Sequence, residues 1–248
     1  MRRTAIILIL TVIASALLIG AVLFVVLRDN DDILEPTNVT LDLSGNNMNN
    51  TELRRRVQIG AIPENIISLN LNNNRINDVA PLVELTQLQE LNLDMNFIYN
   101  IELLQTLTSL EILAINMNQV ANLQPLETLR NLTTLSMWRN NIECVAPLSG
   151  LVNLATLDLS YNQITYIAPL AMLTNLTYLS LSNNNIEDIS SLGALTGLEF
   201  LDISGNQYIT PEAVAALQAA LPNTEIRYTP SQHLGLEANL NNSELTTQ

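Results

Sequence analysis

Residues 135–142, LSMWRNNI, hold the chain's one tryptophan. The same frame returns as LNLNNNRI (69–76), LNLDMNFI (91–98), LAINMNQV (113–120), LDLSYNQI (157–164) and LSLSNNNI (179–186). Asn74, Asn96, Asn118, Asn140, Asn162, Asn184 and Asn206 recur every 22 residues without a slip. Leu69, Leu91, Leu113, Leu135, Leu157, Leu179 and Leu201 keep the same spacing. An earlier copy, LDLSGNNM at 41–48, precedes its successor by 28 residues. A fixed period of this length means stacked coils, each burying its apolar face only against its neighbours.

Within a coil, Leu-x-Leu alternates with period two, as expected for a strand with one buried face. Pro81, Pro125, Pro147 and Pro169 recur outside the strands, where a missing N–H breaks no ladder. The Asn column falls at the turn after each strand. There a buried amide can satisfy backbone groups of adjacent coils, so the column is structural.

The pattern L-x-x-L-x-L-x-x-N-x-L resembles the leucine-rich repeat family. The form PLxxLTNLxxLxLxxNxI, residues 169–186, is similar to the 22-residue subclass of internalin-type bacterial surface proteins and of a phosphatase regulatory subunit. The resemblance covers about residues 36–228. It implies an α/β horseshoe-shaped solenoid with a parallel sheet on the concave face and 3₁₀ turns and short helices on the convex face. It further implies recognition of a host or neighbour.

The ends depart from the repeat, as solenoid caps must. Residues 51–58, TELRRRVQ, read as a short helix capped by Thr51 and closed by Gly60. The run Arg54-Arg55-Arg56 reads as its solvated face. Residues 210–223, TPEAVAALQAALPN, read as a second helix, with Thr210 as cap, Pro211 in the first turn and Pro222-Asn223 as stop. TEIRY, residues 224–228, supplies a ninth and last strand. The resulting division is a membrane anchor at 1–28, a linker at 29–38, the repeat domain at 39–228 and a tail without periodicity at 229–248.

The anchor rests on residues 4–27, 24 residues without a charge, with a cleaved signal peptide as the alternative reading. As a helix they span about 36 Å, enough to cross a hydrocarbon core of about 30 Å. Arg2 and Arg3 precede the span and Arg28 follows it. The positive-inside rule therefore predicts a single-pass protein with a cytoplasmic N-terminus and an extracytoplasmic repeat domain. Internalin-type proteins are usually anchored at the C-terminus instead.

There are 10 Arg, no Lys and 24 acidic residues. So acidic a surface argues against nucleic acid and suits a basic partner. One Cys (Cys144) and one His (His233) exclude an intrachain disulfide and a His/Cys metal centre. No nucleophile–base set or phosphate-binding loop stands out, and no cofactor or metal is expected. Asp42, Asp158 and Asp202 share one column, but Ser136 and Ser180 interrupt it, which weakens any calcium reading.

In L-x-L-x-x-N the x positions face the concave surface, so Trp138 and Arg139 are surface residues. Large side chains gather there in the middle coils: Met95, Ile112, Met117, Trp138, Arg139, Tyr161 and Tyr178. Asn70, Asn72 and Asn73 rim them on one side, and Ser180, Ser182 and Asn183 on the other. An apolar patch with a polar rim marks a binding site, and Trp, Tyr and Arg are typical hot-spot residues. The expected function is a membrane-anchored protein that binds a protein partner on its concave face outside the cytoplasm. The alternative is a membrane-tethered scaffold facing the cytoplasm, resembling the phosphatase regulator.

Overall fold

The computed structural model describes residues 39–229 of the 248-residue chain. The expected anchor, linker and all but the first residue of the tail lie outside the described residues. Among the described residues no helix is long and apolar enough to cross a membrane.

Nine strands form one parallel sheet in sequence order. They are β1 (Val39–Asp42), β2 (Ile66–Asn70), β3 (Glu90–Asn92), β4 (Ile112–Ala114), β5 (Thr134–Ser136), β6 (Thr156–Asp158), β7 (Tyr178–Ser180), β8 (Phe200–Asp202) and β9 (Glu225–Arg227). The 22-residue period sets the register: Leu69, Leu91, Leu113, Leu135, Leu157, Leu179 and Leu201 lie side by side from β2 to β8. A parallel strand needs a crossover, and from β2 to β8 each crossover carries a short 3₁₀ turn such as Ala146–Gly150 or Ala168–Met172, while the first and last crossovers carry α-helices. In both of these 3₁₀ turns Pro stands at the first or second helical position, where no donor is lost.

Each coil buries the same apolar set. In one of them Leu157, Leu159, Ile164, Ile167, Leu170, Leu173 and Leu176 are all 0–1% exposed. The interior is one continuous cluster from Val39 to Leu221, nearly all aliphatic. The Asn column threads it. Asn162 Nδ2 donates to the carbonyls of Met137, Leu159 and Ser160, and its Oδ1 accepts from Ile142 N–H. One amide thus ties two coils together where the backbone turns out of the sheet. Asn96, Asn140, Asn184 and Asn206 repeat the arrangement.

The caps form as expected, with two corrections. Helix α1 spans Asn50–Gln58, and its cap is Asn49, whose side chain accepts from Glu52 N–H, not Thr51. Arg56 is not part of a solvated face. It is buried on the core side and bonds Glu52 at 2.7 Å, while Arg55 bonds the same carboxylate at 2.8 Å. Only Arg54 and Arg55 stand in solvent, Arg54 reaching Asp78 at 3.4 Å. Gly60, at φ +70°, closes the helix in the left-handed conformation expected of it. At the other end α2, Pro211–Ala220, is capped by Thr210 and buries Leu217.

Candidate partner-binding face

Three residues of each strand segment face outward and form three parallel columns. The first runs Ser68, Glu90, Ile112, Thr134, Thr156, Tyr178, Phe200 and Glu225. The second runs Asp42, Asn70, Asn92, Ala114, Ser136, Asp158, Ser180, Asp202 and Arg227. The third follows two residues further on: Asn72, Asp94, Asn116, Trp138, Ser160, Ser182 and Ser204.

The second column explains the carboxylates weighed as calcium ligands. Asp42, Asp158 and Asp202 each accept the backbone N–H two residues ahead, from Ser44, Ser160 and Ser204, at 2.9 Å. Asn70 and Asn92 make the same bond. The residues at 114 and 136, Ala and Ser, lack such an acceptor, and there the side chain of the preceding coil takes over. Asp94 Oδ1 accepts from Asn116 N–H at 2.7 Å, and Asn116 Oδ1 accepts from Trp138 N–H at 2.9 Å and from Ser136 Oγ at 2.8 Å. These groups fasten the turn, and no cluster of three potential metal ligands occurs among the described residues.

Beyond the third column the chain turns through a left-handed residue. Gly45, Asn73, Met95, Met117, Arg139, Tyr161, Asn183 and Gly205 all have φ between +51° and +72°. Gly and Asn tolerate that conformation; Met, Arg and Tyr are strained by it. At the last position even space demands glycine, because a Cβ on Gly205 would lie 2.6 Å from Asn183 Oδ1. The tolerant residues occupy both ends of the column and the strained ones its four middle coils.

The seven residues singled out in sequence fall into two rows on this face. Met95, Met117, Arg139 and Tyr161 line the rim where the strands turn, with half-buried Trp138 one residue inside it. Ile112 and Tyr178 stand in the first column, four or more residues back along the chain. A polar strip containing Ser136, Asp158 and Asn116 runs between the two rows. Met95 and Tyr161 are 46% and 56% exposed, and Ile112 and Tyr178 39% and 36%.

Two further groups belong to this face and were not picked out in sequence. Phe200 stacks on Tyr178, centroids 4.9 Å apart and planes within 10°. Arg227, from the neighbouring β9, lays its guanidinium over the Phe200 ring, 4.6 Å from the centroid. The Tyr178 phenol is held above its ordinary pKa by burial and then by the nearby carboxylates of Asp158 and Asp202, with Arg227 opposing. Asp94 is likewise raised by burial, against the hydrogen bonds from Asn116. Cys144 is exposed on the opposite side of the coil. In its column Asp78, Asn100, Asn122 and Asp188 cap the following 3₁₀ turns, a role a thiol does not fill.

Residues 130–172 and 174–215 match the family model described as leucine-rich repeats in two copies. The in-register sheet and the Asn column extend the same pattern through the described residues. The chain carries leucine-rich repeats and resembles that family. No curated protein matches it in sequence. Among solved structures, this leucine-rich repeat chain is similar to internalin C2 of Listeria monocytogenes, at 28% identity and a TM-score of 0.61 over 78% of this chain and 81% of that one. It is similar to a leucine-rich repeat protein of Leptospira interrogans, at 28% identity and a TM-score of 0.63 over 70% of this chain and 44% of that one. It is also similar to the ectodomain of the Arabidopsis receptor kinase HAESA, solved with a peptide hormone ligand. That match has 26% identity and a TM-score of 0.63 over 78% of this chain and 35% of that one. The chain thus spans less than half of the last two.

Proposed function

We propose that this protein binds a protein partner across its concave face and turn rim, through Trp138, Met95, Met117, Arg139 and Tyr161 on one row and Ile112 and Tyr178 on the other. The observation that carries the reading is the left-handed column. Its end positions hold Gly and Asn, which cost nothing there, while its middle four hold Met, Met, Arg and Tyr, each strained by about 1 kcal/mol. Residues kept against local strain point to a use other than stability. The one tryptophan lies in one of these four coils, next to Arg139. Asn72 Oδ1 on the same face is buried without a hydrogen-bond partner, an acceptor that an incoming donor would satisfy. The likeness to an ectodomain solved with a peptide ligand supports a binding role of this kind.

The same proposal includes a membrane anchor at residues 4–27 and a repeat domain outside the cytoplasm, on the uncharged length of that segment and its flanking arginines.

A photo-crosslinking residue placed at 138 in the full chain, in intact cells, tests the binding face. A matched probe at Met172, 62% exposed on a convex 3₁₀ turn, is the control. A discrete adduct from 138 and none from 172 is the expected result. Identical adducts from both sites, or none from 138, overturn the reading. A protease-sensitive tag after Gln248 in the same cells reports the orientation, and protection until lysis would reverse it.

A further inference from the structure

The first outward column contains a gap with matched walls. Arg227, Phe200 and Tyr178 form a ladder in which each planar group covers the next. Phe200 is in contact with both Tyr178 and Arg227. Tyr178 stacks on Phe200 from the β8 side, and on its other side the column continues with Thr156 and then Thr134. Both are small, and the next large side chain is Ile112 on β4. Two rungs at about 4.8 Å each, both holding only threonine, separate Tyr178 from Ile112. Asp158 borders this slot on the same strand as Thr156. Its Oδ1 takes the Ser160 N–H and the Ser160 hydroxyl at 2.9 and 2.6 Å, and Oδ2 has no partner among the described residues.

We propose that the slot over Thr134 and Thr156 receives an arginine side chain of the protein partner, its guanidinium stacked on the Tyr178 face opposite Phe200 and paired with Asp158. The proposal deepens the reading of this face as a partner-binding surface and rests on it. Charge selects the class of ligand: the three outward columns carry Asp42, Glu90, Asp94, Asp158, Asp202 and Glu225 against the single cation Arg227. Shape selects the side chain. A guanidinium is planar, stacks on an aromatic face and pairs with a carboxylate at its edge, while an ammonium offers no plane to stack. The ladder already shows the arrangement once: Arg227 lies on Phe200 and bonds Glu225 Oε1 at 3.2 Å. The threonine rung next to Tyr178 and Asp158 offers an equivalent aromatic–carboxylate pair to an outside arginine.

The substitutions that test this are already tolerated within the fold. Asn70 and Asn92 occupy the Asp158 column and accept the same backbone N–H, so Asp158→Asn keeps the turn. Thr134 and Thr156 occupy the Tyr178 column, so Tyr178→Thr keeps the strand. The probe is a labelled octa-arginine peptide, with octa-lysine beside it, titrated into the full chain in non-ionic detergent at physiological salt. Octa-arginine is expected to bind about tenfold more tightly than octa-lysine. Asp158→Asn and Tyr178→Thr are each expected to weaken octa-arginine binding about tenfold, and Tyr178→Phe to leave it unchanged. Glu84→Gln removes one exposed carboxylate beyond a convex turn and is expected to change nothing.

Equal affinity for the two peptides, or equal loss from Asp158→Asn and Glu84→Gln, would show attraction to net charge alone and overturn the slot. Self-association of the chain abolished by the same two variants would make the occupant a second copy and also overturn it. If the slot fails while adducts still form at position 138, the broader binding reading stands. If both fail, the concave face is not a binding surface.

Discussion

Asn162 bonds three carbonyls and one N–H at the edge of the core, two of these groups on its own coil and two on the preceding one. An alanine there leaves these groups buried and unpaired. Asn162→Ala is expected to destabilise the domain by about 2–4 kcal/mol, read from denaturant midpoints. A fall below half a kcal/mol would mean water replaces the amide freely. Tyr161, one residue earlier, argues in the opposite direction. At φ +54° it occupies a conformation that Asn73 and Asn183 adopt without penalty. Tyr161→Asn is therefore expected to raise stability by about 0.5–1 kcal/mol while reducing crosslinking at 138. A stabilised variant with full partner binding would remove the functional explanation of the strained column. The sequence displays the identities in this column but not its backbone conformation, because a 22-residue period reports position and not φ.

The short cap helix depends on one shared carboxylate. Arg55 and Arg56 both bond Glu52, and these bonds hold its carboxyl at a pKa of about 2, below its ordinary 4.5. A carboxyl depressed in the native state stabilises the fold fully above the unfolded value, and that stabilisation is lost as pH falls from about 4.5 toward about 2. Glu52 is partly exposed, so the effect is about 1 kcal/mol. Glu52→Gln is expected to flatten the dependence of unfolding midpoint on pH across that window and to leave the midpoint above pH 6 lower than in the native chain. An unchanged slope would assign acid sensitivity to other carboxylates. Element order, strand register and the α2 cap at Thr210 were legible in the sequence because leucine spacing and capping chemistry are local. The α1 cap was misread by two residues, since Asn49, Asn50 and Thr51 all suit a cap and only the turn geometry chooses. The Arg227–Phe200 contact was not legible, because the last coil is longer: Phe200 pairs with Glu225, 25 residues on, so Arg227 falls outside any alignment by 22.

At the scale of the molecule, stability is shared between like coils, so a whole period can be removed where a fraction cannot. Deleting residues 163–184 joins Asn162 to Asn185 in frame. Asn206 Nδ2, which bonds Leu181 O, would meet Leu159 O instead, and Asn185 N–H, which bonds Ile164 O, would meet Ile142 O. The outward column would bring Phe200, still covered by Arg227, next to Thr156, so the arginine slot would keep an aromatic wall and Asp158. The variant is expected to unfold in one cooperative transition, several degrees below the full chain. It is expected to retain crosslinking at 138 and preference for octa-arginine. Deleting only residues 163–173 would bring convex 3₁₀ positions into the sheet register, and that chain is expected to lose the cooperative transition altogether. If the full-period deletion also unfolds, the coils are not interchangeable. Stability would then reside in contacts that the 22-residue repeat does not describe, with the unequal end coils the first place to look.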